Sequence, residues 1–262
     1  MAKRSLSNSR ILLTGASSGI GRELARQLGE QRARLVVIAR REGRLLELAH
    51  TINDSGGRCV PIIGDVTLPE KRAEAIETCQ SEFGGLDILV NNAGIGAMGM
   101  FADARPERLR QIFEVNFFAT AEMIRAAIPV LLRGQDPLIV NVGSVLGHRA
   151  VPLKSEYCAS KFAIRALTDS LRVELRATGV DFLLVSPSTT DTEFFSSAIE
   201  DTTGIDWKLR GAMSCERVAM KTIRAMVNRK REIILSCSGK TLVWLDRLFP
   251  TLVDRIVGKF GQ

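Results

Sequence analysis

A chain of 262 residues, 45% hydrophobic and 25% charged, has the balance of one large globular domain with a sizeable core. The formal net charge of +7 comes from basic residues spread along helical patterns, gathered only at Asn228-Arg229-Lys230-Arg231, so no nucleic-acid partner is expected. No apolar run reaches the ~18–20 residues of a membrane-spanning helix, the basic, polar N-terminus lacks the apolar centre of a secretory leader, and five cysteines without CxxC spacing beside two histidines fit a cytoplasmic protein with reduced thiols and no metal site.

The first predicted strand, 10–14, is the run Arg10-Ile11-Leu12-Leu13-Thr14. It enters Gly15-Ala16-Ser17-Ser18-Gly19-Ile20-Gly21 and then a helical pattern over 22–31. A glycine-rich turn between strand and helix lets backbone N–H groups approach a phosphate, and the helix N-terminus adds favourable partial charge. The spacing is Gly-x-x-x-Gly-x-Gly, distinct from the general dinucleotide fingerprint Gly-x-Gly-x-x-Gly.

A second strand, 34–39, ends at Arg40-Arg41, and a third, 58–63, runs into Gly64-Asp65-Val66. The fourth, 86–91, leads into Asn91-Asn92-Ala93-Gly94. Asn116 follows within a helical run, where asparagine is unfavourable by propensity and consistent with a kink or a water site. The fifth strand, 137–142, precedes Ser144. A hydrolase serine would need a Gly-x-Ser-x-Gly turn, which Val142-Gly143-Ser144-Val145-Leu146 lacks. His148 reads as a loop residue.

Tyr157 and Lys161 stand four apart on a predicted helix and so share a face. An ammonium there favours the ionised form of a phenol that ordinarily titrates near ~10. Cys158 faces another way and reads as a packing thiol. The sixth strand, 180–186, continues into Ser186-Pro187-Ser188-Thr189-Thr190-Asp191-Thr192, and the seventh is 232–235. Strands alternating with helices predict a parallel sheet with helices on both faces, doubly wound, in one domain over 1–262.

Thr14-Gly15-x-x-x-Gly19-Ile20-Gly21, Asn91-Asn92-Ala93-Gly94, Asn116, Ser144 and Tyr157-x-x-x-Lys161, in this order and spacing, resemble the short-chain dehydrogenase/reductase superfamily over about residues 8–236. The resemblance implies a single-domain Rossmann-type α/β fold with strand order 3-2-1-4-5-6-7. It also implies a nicotinamide cofactor held by Gly15, Ser17, Ser18, Gly19, Ile20, Gly21, Asp65, Val66, Asn91, Ala93, Gly94, Tyr157, Lys161, Pro187, Thr190 and Thr192. Asp65 is expected to accept from the adenine amine and Asn91 to secure the adenine-ribose side. Ser188 stands where the family usually has Gly, which matters if the loop needs positive φ.

In that fold the tip of the second strand faces the adenosine ribose. A carboxylate there would repel a 2′-phosphate, whereas an arginine pairs with one. Arg40, with Arg41 as second contact, therefore points to NADP(H) over NAD(H). The implied catalytic set is Asn116, Ser144, Tyr157 and Lys161. Tyr157 is general acid in reduction and general base in oxidation. Lys161 lowers its pKa, Ser144 stabilises charge on the substrate oxygen, and the Asn116 carbonyl holds a relay water.

The substrate-covering segment, 190–214, carries Phe194, Phe195, Ile199, Ile205 and Trp207, which suits a hydrophobic carbonyl or alcohol, lipid-like, steroid-like or oxoacyl. The tail, 238–262, repeats Leu245, Leu248, Phe249, Leu252, Val253, Ile256, Val257 and Phe260 at helical spacing, with Lys240, Arg247, Arg255 and Lys259 between them and Pro250 separating two helices. It is expected to pack on a second subunit of a homodimer or homotetramer, cap the cleft, or lie in a membrane interface. Packing is favoured, with Leu245, Leu248, Leu252 and Ile256 covering protein surface. The expected function is NADP(H)-dependent oxidoreduction. The alternatives are a silent NADP(H)-binding sensor or scaffold, against which the joint presence of Ser144, Tyr157 and Lys161 argues, and a membrane-associated protein anchored by its tail.

Overall fold

The computed structural model describes residues 2–194, 198–203 and 212–258. Its centre is a seven-stranded sheet, β3-β2-β1-β4-β5-β6-β9, with every pairing parallel. The strands are β1 (Arg10–Thr14), β2 (Arg34–Ala39), β3 (Arg58–Ile63), β4 (Ile88–Asn91), β5 (Leu138–Val142), β6 (Asp181–Ser186) and β9 (Glu232–Ile234). Two short strands, β7 (Thr190–Asp191) and β8 (Met213–Ser214), pair apart from the sheet. Counting main-sheet strands alone gives the expected 3-2-1-4-5-6-7 order.

The sheet is parallel because near-continuous apolar strands such as Leu35-Val36-Val37-Ile38 offer no polar face to water and must be covered on both sides. On one face Ile11 and Leu13 of β1 pack with Leu24 and Leu28 of α1 (Gly19–Glu30), Leu45 of α2 (Glu42–Asp54) and Val218 of α7 (Cys215–Val227). On the other, Leu12 packs with Ile76 and Phe83 of α3 (Pro69–Phe83) and Met123 of α5 (Ala119–Leu131). Leu167 and Leu171 of α6 (Ser155–Glu174) press on that second cluster. The side-chain period of two thus divides β1 between two cores.

The order reverses between β1 and β4, so the carboxyl ends of these neighbours open a crevice at the switch point. Between α4 (Pro106–Phe113) and α5 the chain makes a π-helical turn, Glu114–Phe118, centred on Asn116. The kink expected at this asparagine takes the form of a π-bulge, a feature that aims a side chain out of the regular ladder.

The tail forms α8 (Cys237–Leu248) and α9 (Pro250–Gly258), broken at Pro250. It lies on the body through Arg149, which pairs with Asp246 of α8 at 2.7 Å and with Asp254 of α9. Within one copy of the chain the two apolar stripes of the tail part company. The side chains turned inward are Val243, Val253 and Val257, while Leu245, Leu248, Leu252 and Ile256 are exposed. Both stripes are apolar, so periodicity alone does not say which meets the protein. Phe260 and Lys259 lie outside the described residues. Among the described residues no helix is long and apolar enough to cross a membrane.

Candidate active site

At the switch point lies a cavity of about 690 Å³, running from the glycine-rich loop past Tyr157 to Leu242 of the tail. Its floor is the β1–α1 turn. Gly15 has φ +71, and a Cβ there would sit 2.8 Å from the Ala93 Cα. A Cβ on Gly21 would sit 2.2 Å from the Gly15 carbonyl oxygen. Thr14 Oγ1 accepts from the Asn92 and Ala93 N–H groups at 3.0 Å each, and Asn92 Nδ2 donates to the Thr14 and Gly15 carbonyls. The loop is therefore stitched to the end of β4 with no room for side chains. Ser18, the N-cap of α1, makes no side-chain cap bond, which leaves first-turn N–H groups facing the cavity. This cradle fits a dinucleotide pyrophosphate.

Gly15, Ser17, Ser18, Gly19, Ile20, Gly21, Arg40, Arg41, Asp65, Val66, Ala93, Gly94, Pro187, Thr190 and Thr192 all line this cavity. Asn91 does not. Its amide nitrogen donates to Asn141 Oδ1 at 2.9 Å, and Asn141 donates in turn to Thr168 Oγ1 of α6. Adjacent strand residues point to opposite sides, so Asn92 takes the place at the cavity that the sequence assigned to Asn91.

The two arginines also exchange emphasis. Arg41 Nε donates to Ser17 Oγ at 3.1 Å, and its Nη2 bonds Ser18 Oγ. Arg40 instead reaches Asp65 Oδ2 at 3.5 Å. The expected leading contact, Arg40, is the outer one, and Arg41 lies against the phosphate loop. Arg44, which sequence reading missed, joins Arg41 on Glu193. Asp65 Oδ1 accepts from the Thr67 N–H and hydroxyl at 2.9 Å each, a local turn role. Ser188 is not among the non-glycine residues with positive φ, so its replacement of glycine strains nothing.

Deeper in, Tyr157 is almost fully buried, with Phe194 edge-on at 5.4 Å between centroids. Ser144 starts a short helical turn in extended backbone, accepting the Leu146 N–H on Oγ at 3.0 Å. Lys161 Nζ donates to the Val142 carbonyl at 2.9 Å and sits 5.7 Å from the centre of the phenol ring. Asn116 is 1% exposed. Its Oδ1 accepts from Ile95 N, and its Nδ2 donates to the Ile95 carbonyl and to Ser160 Oγ, which in turn donates to the Tyr157 carbonyl. Asn116 therefore ties the cavity wall to the helix turn that presents Tyr157. Ser160 left no signal in the sequence beyond its place between Tyr157 and Lys161.

The electrostatics depart from expectation. Burial pushes the Tyr157 phenol above its ordinary value, opposed by the Ser144 hydroxyl. Burial also lowers the Lys161 ammonium, to about 8. The phenol is thus held in its neutral form, while the ammonium keeps its charge at neutral pH and loses it at a lower pH than an exposed lysine. This burial has a consequence for stability. Unfolded, Lys161 titrates near 10.5, so below about 8 the folded state carries the full cost of the buried charge. Between these values the unfolded chain binds more protons, and stability rises with pH. Lys161→Met should therefore melt several degrees higher than the wild type at neutral pH, with the gap closing as pH rises through that window. Calorimetry across the window checks it, and a variant less stable at neutral pH would contradict the burial cost.

His148 is buried and outside the cavity lining, so it is a structural residue. Its Nε2 meets Ser186 Oγ at 2.9 Å and Glu232 at 3.1 Å, and burial lowers its pKa to about 4. Cys158 is a buried thiol raised by desolvation, as a packing residue should be. Beside the site, Arg108 of α4 is buried between two carboxylates. Glu156 lies 2.7 Å from it, one residue before Tyr157, and Glu200 lies 2.8 Å away. Glu200 belongs to the described stretch 198–203 of the segment expected to cover the substrate, a stretch knit to 96–99 by the Ile199 N–H on the Gly96 carbonyl and the Met98 N–H on the Glu200 carbonyl. Phe195, Ile205 and Trp207 lie outside the described residues.

The family model described as short chain dehydrogenase matches residues 9–203. The chain is 31% identical to the ketoacyl reductase HetN of Nostoc sp., covering 98% of this chain and 90% of that protein. It is 33% identical to the uncharacterized oxidoreductase YxnA of Bacillus subtilis, covering 95% and 71%. Among solved structures, a short chain dehydrogenase/reductase from Burkholderia phymatum in complex with NAD superposes with a TM-score of 0.86 at 25% identity, covering 95% of this chain and 96% of that one. An alcohol dehydrogenase from Thermococcus sibiricus complexed with 5-hydroxy-NADP gives 0.78 at 27%, covering 87% and 95%.

Proposed function

The chain belongs to the short chain dehydrogenase family and is an oxidoreductase acting on CH–OH groups; we propose that it prefers NADP(H) to NAD(H) and interconverts a hydrophobic carbonyl compound and its alcohol. The observation that carries this reading is the convergence in one cavity of a phosphate cradle, a cationic rim and the buried Ser144–Tyr157–Lys161 group. The cofactor supplies the hydride when bound.

The chain's own residues do the rest. Ser144 Oγ sits beside the phenol and places a hydroxyl where charge develops on the substrate oxygen. Tyr157 donates its proton to that oxygen in reduction and accepts it in oxidation. Its raised pKa keeps it protonated through neutral pH, so in reduction it has a proton to give. Lys161, fixed by the Val142 carbonyl, holds positive charge behind the ring. Phe194 covers Tyr157 and excludes water, while Val145, Val151, Phe194 and Leu242 give the substrate end an apolar wall.

The NADP(H) preference rests on Arg40 and Arg41 at the tip of β2, with Arg44 behind them. A charge-assisted hydrogen bond contributes roughly 1.5–3 kcal/mol, so Arg41→Ala should weaken NADP(H) binding by at least ~10-fold and NAD(H) binding much less. Arg40→Ala, whose guanidinium already faces Asp65, should weaken NADP(H) binding less than Arg41→Ala. Titration calorimetry with both cofactors checks this, and equal losses for both would overturn the assignment. Exposed Phe118, Phe162 and Val173 on the π-helical turn and α6 supply apolar area for the proposed homodimer or homotetramer. Turnover of a panel of hydrophobic ketones, followed by NADPH absorbance, tests the activity. Cofactor binding without turnover of any ketone or alcohol would favour a silent sensor.

A further inference from the structure

The two tail helices present outward a continuous apolar strip, Trp244, Leu245, Leu248, Phe249, Leu252 and Ile256, with Trp244 and Leu248 59% and 65% exposed. Beside it stand the exposed cations Lys240, Arg247 and Arg255, and the Arg247 guanidinium lies 5.5 Å from the Trp244 ring. The only acidic residues of these helices, Asp246 and Asp254, are both drawn to Arg149. Among the described residues no ion pair is made by the three tail cations. Pairing with Arg149 thus offsets both negative charges, the Asp254 side chain staying 65% exposed, and leaves the three cations to set the sign of the face.

We infer that this face of α8 and α9 docks the protein on a lipid surface bearing anionic headgroups. An amphipathic helix that offers Trp, Leu and Phe on one side and Lys and Arg beside them settles in the headgroup–acyl boundary, where an aromatic ring with a polar edge is at home. Charge decides between this occupant and a second copy of the chain. A two-fold contact would set the same net cationic face against itself, with carboxylates already engaged by Arg149, whereas anionic headgroups complement it. The placement also has a use. Leu242, on the first turns of α8, lines the substrate end of the cavity, so docking sets the cavity mouth near the apolar phase. The docking itself is independent of which cofactor or substrate the site takes.

The test is sedimentation of the full chain with vesicles of phosphatidylcholine alone and of phosphatidylcholine mixed with phosphatidylglycerol. The expected result is co-sedimentation with the mixed vesicles, at least ~10-fold weaker on phosphatidylcholine alone, given the headgroup attraction of each nearby cation. In a Trp207→Phe background, Trp244 emission should shift to the blue on binding. Leu248→Ser/Leu252→Ser should lose binding by at least ~10-fold with its melting temperature and particle size unchanged. Arg247→Glu/Arg255→Glu should abolish the preference for anionic vesicles. Failure of the wild-type chain to sediment, or undiminished binding by the serine variant, would overturn the proposal. So would light scattering that shows the wild-type particle, free of lipid, to be larger than the serine variant, because that would give the face to a second copy.

Discussion

Tyr157→Phe should reduce turnover by at least ~10²-fold, as expected when a general acid is removed, while leaving cofactor affinity near the wild-type value. The ring remains, so its edge contact with Phe194 and its place over Lys161 are kept and only the transferable proton is lost. Because Tyr157 is almost fully buried at the cavity wall with the Ser144 hydroxyl beside it, deleting its hydroxyl should change melting little, and a melting curve separates loss of chemistry from loss of structure. The pH profile sharpens the test. For the free enzyme, kcat/KM of reduction should hold up to about 8 and decline above it, where Lys161 loses its proton. Near-normal turnover by the Phe variant would remove Tyr157 from the mechanism.

The second large effect is expected at Arg108. Its guanidinium and the Glu156 carboxylate are both nearly excluded from solvent, and Glu200 completes the group from segment 198–203. Arg108→Leu strands the Glu156 carboxylate in a low-dielectric interior. Breaking a buried pair from one side costs about 3–5 kcal/mol, which for a chain of this size lowers the melting temperature by on the order of 10 °C. Glu156→Leu in the same chain should recover a large part of that loss, since the stranded charge, rather than the absent bond, dominates it. Glu200→Gln, which leaves the deeper pair intact, should barely affect melting but raise KM, because it loosens segment 198–203 where it packs on 96–99, next to the cavity-lining Ile95. Additive losses for Arg108→Leu and Glu156→Leu would show that the two residues do not act as a pair.

The sequence by itself determined what local backbone chemistry dictates. The apolar runs located all seven sheet strands, with β4 beginning two residues later than expected. The glycine turn was legible because Gly15 needs positive φ and Gly21 tolerates no Cβ, demands that no other residue type meets. Ser144, Tyr157 and Lys161, singled out by the resemblance, do line one cavity, Asn116 stands behind it on the π-helical turn, and Pro250 marked the break in the tail. Tertiary structure decided what depends on neighbours distant in the chain. Strand alternation put Asn92 rather than Asn91 at the cavity, and the rotation of two adjacent arginines put Arg41 on the phosphate loop and Arg40 on Asp65. Spacing predicted a phenol eased toward ionisation, yet burial, which no spacing encodes, raised Tyr157 and lowered Lys161. The Arg108 cluster joins three segments that sequence leaves apart. The tail shows the same limit: a helix apolar on two sides has no inward face of its own, and the pull of Arg149 on Asp246 and Asp254 decided which side meets the protein.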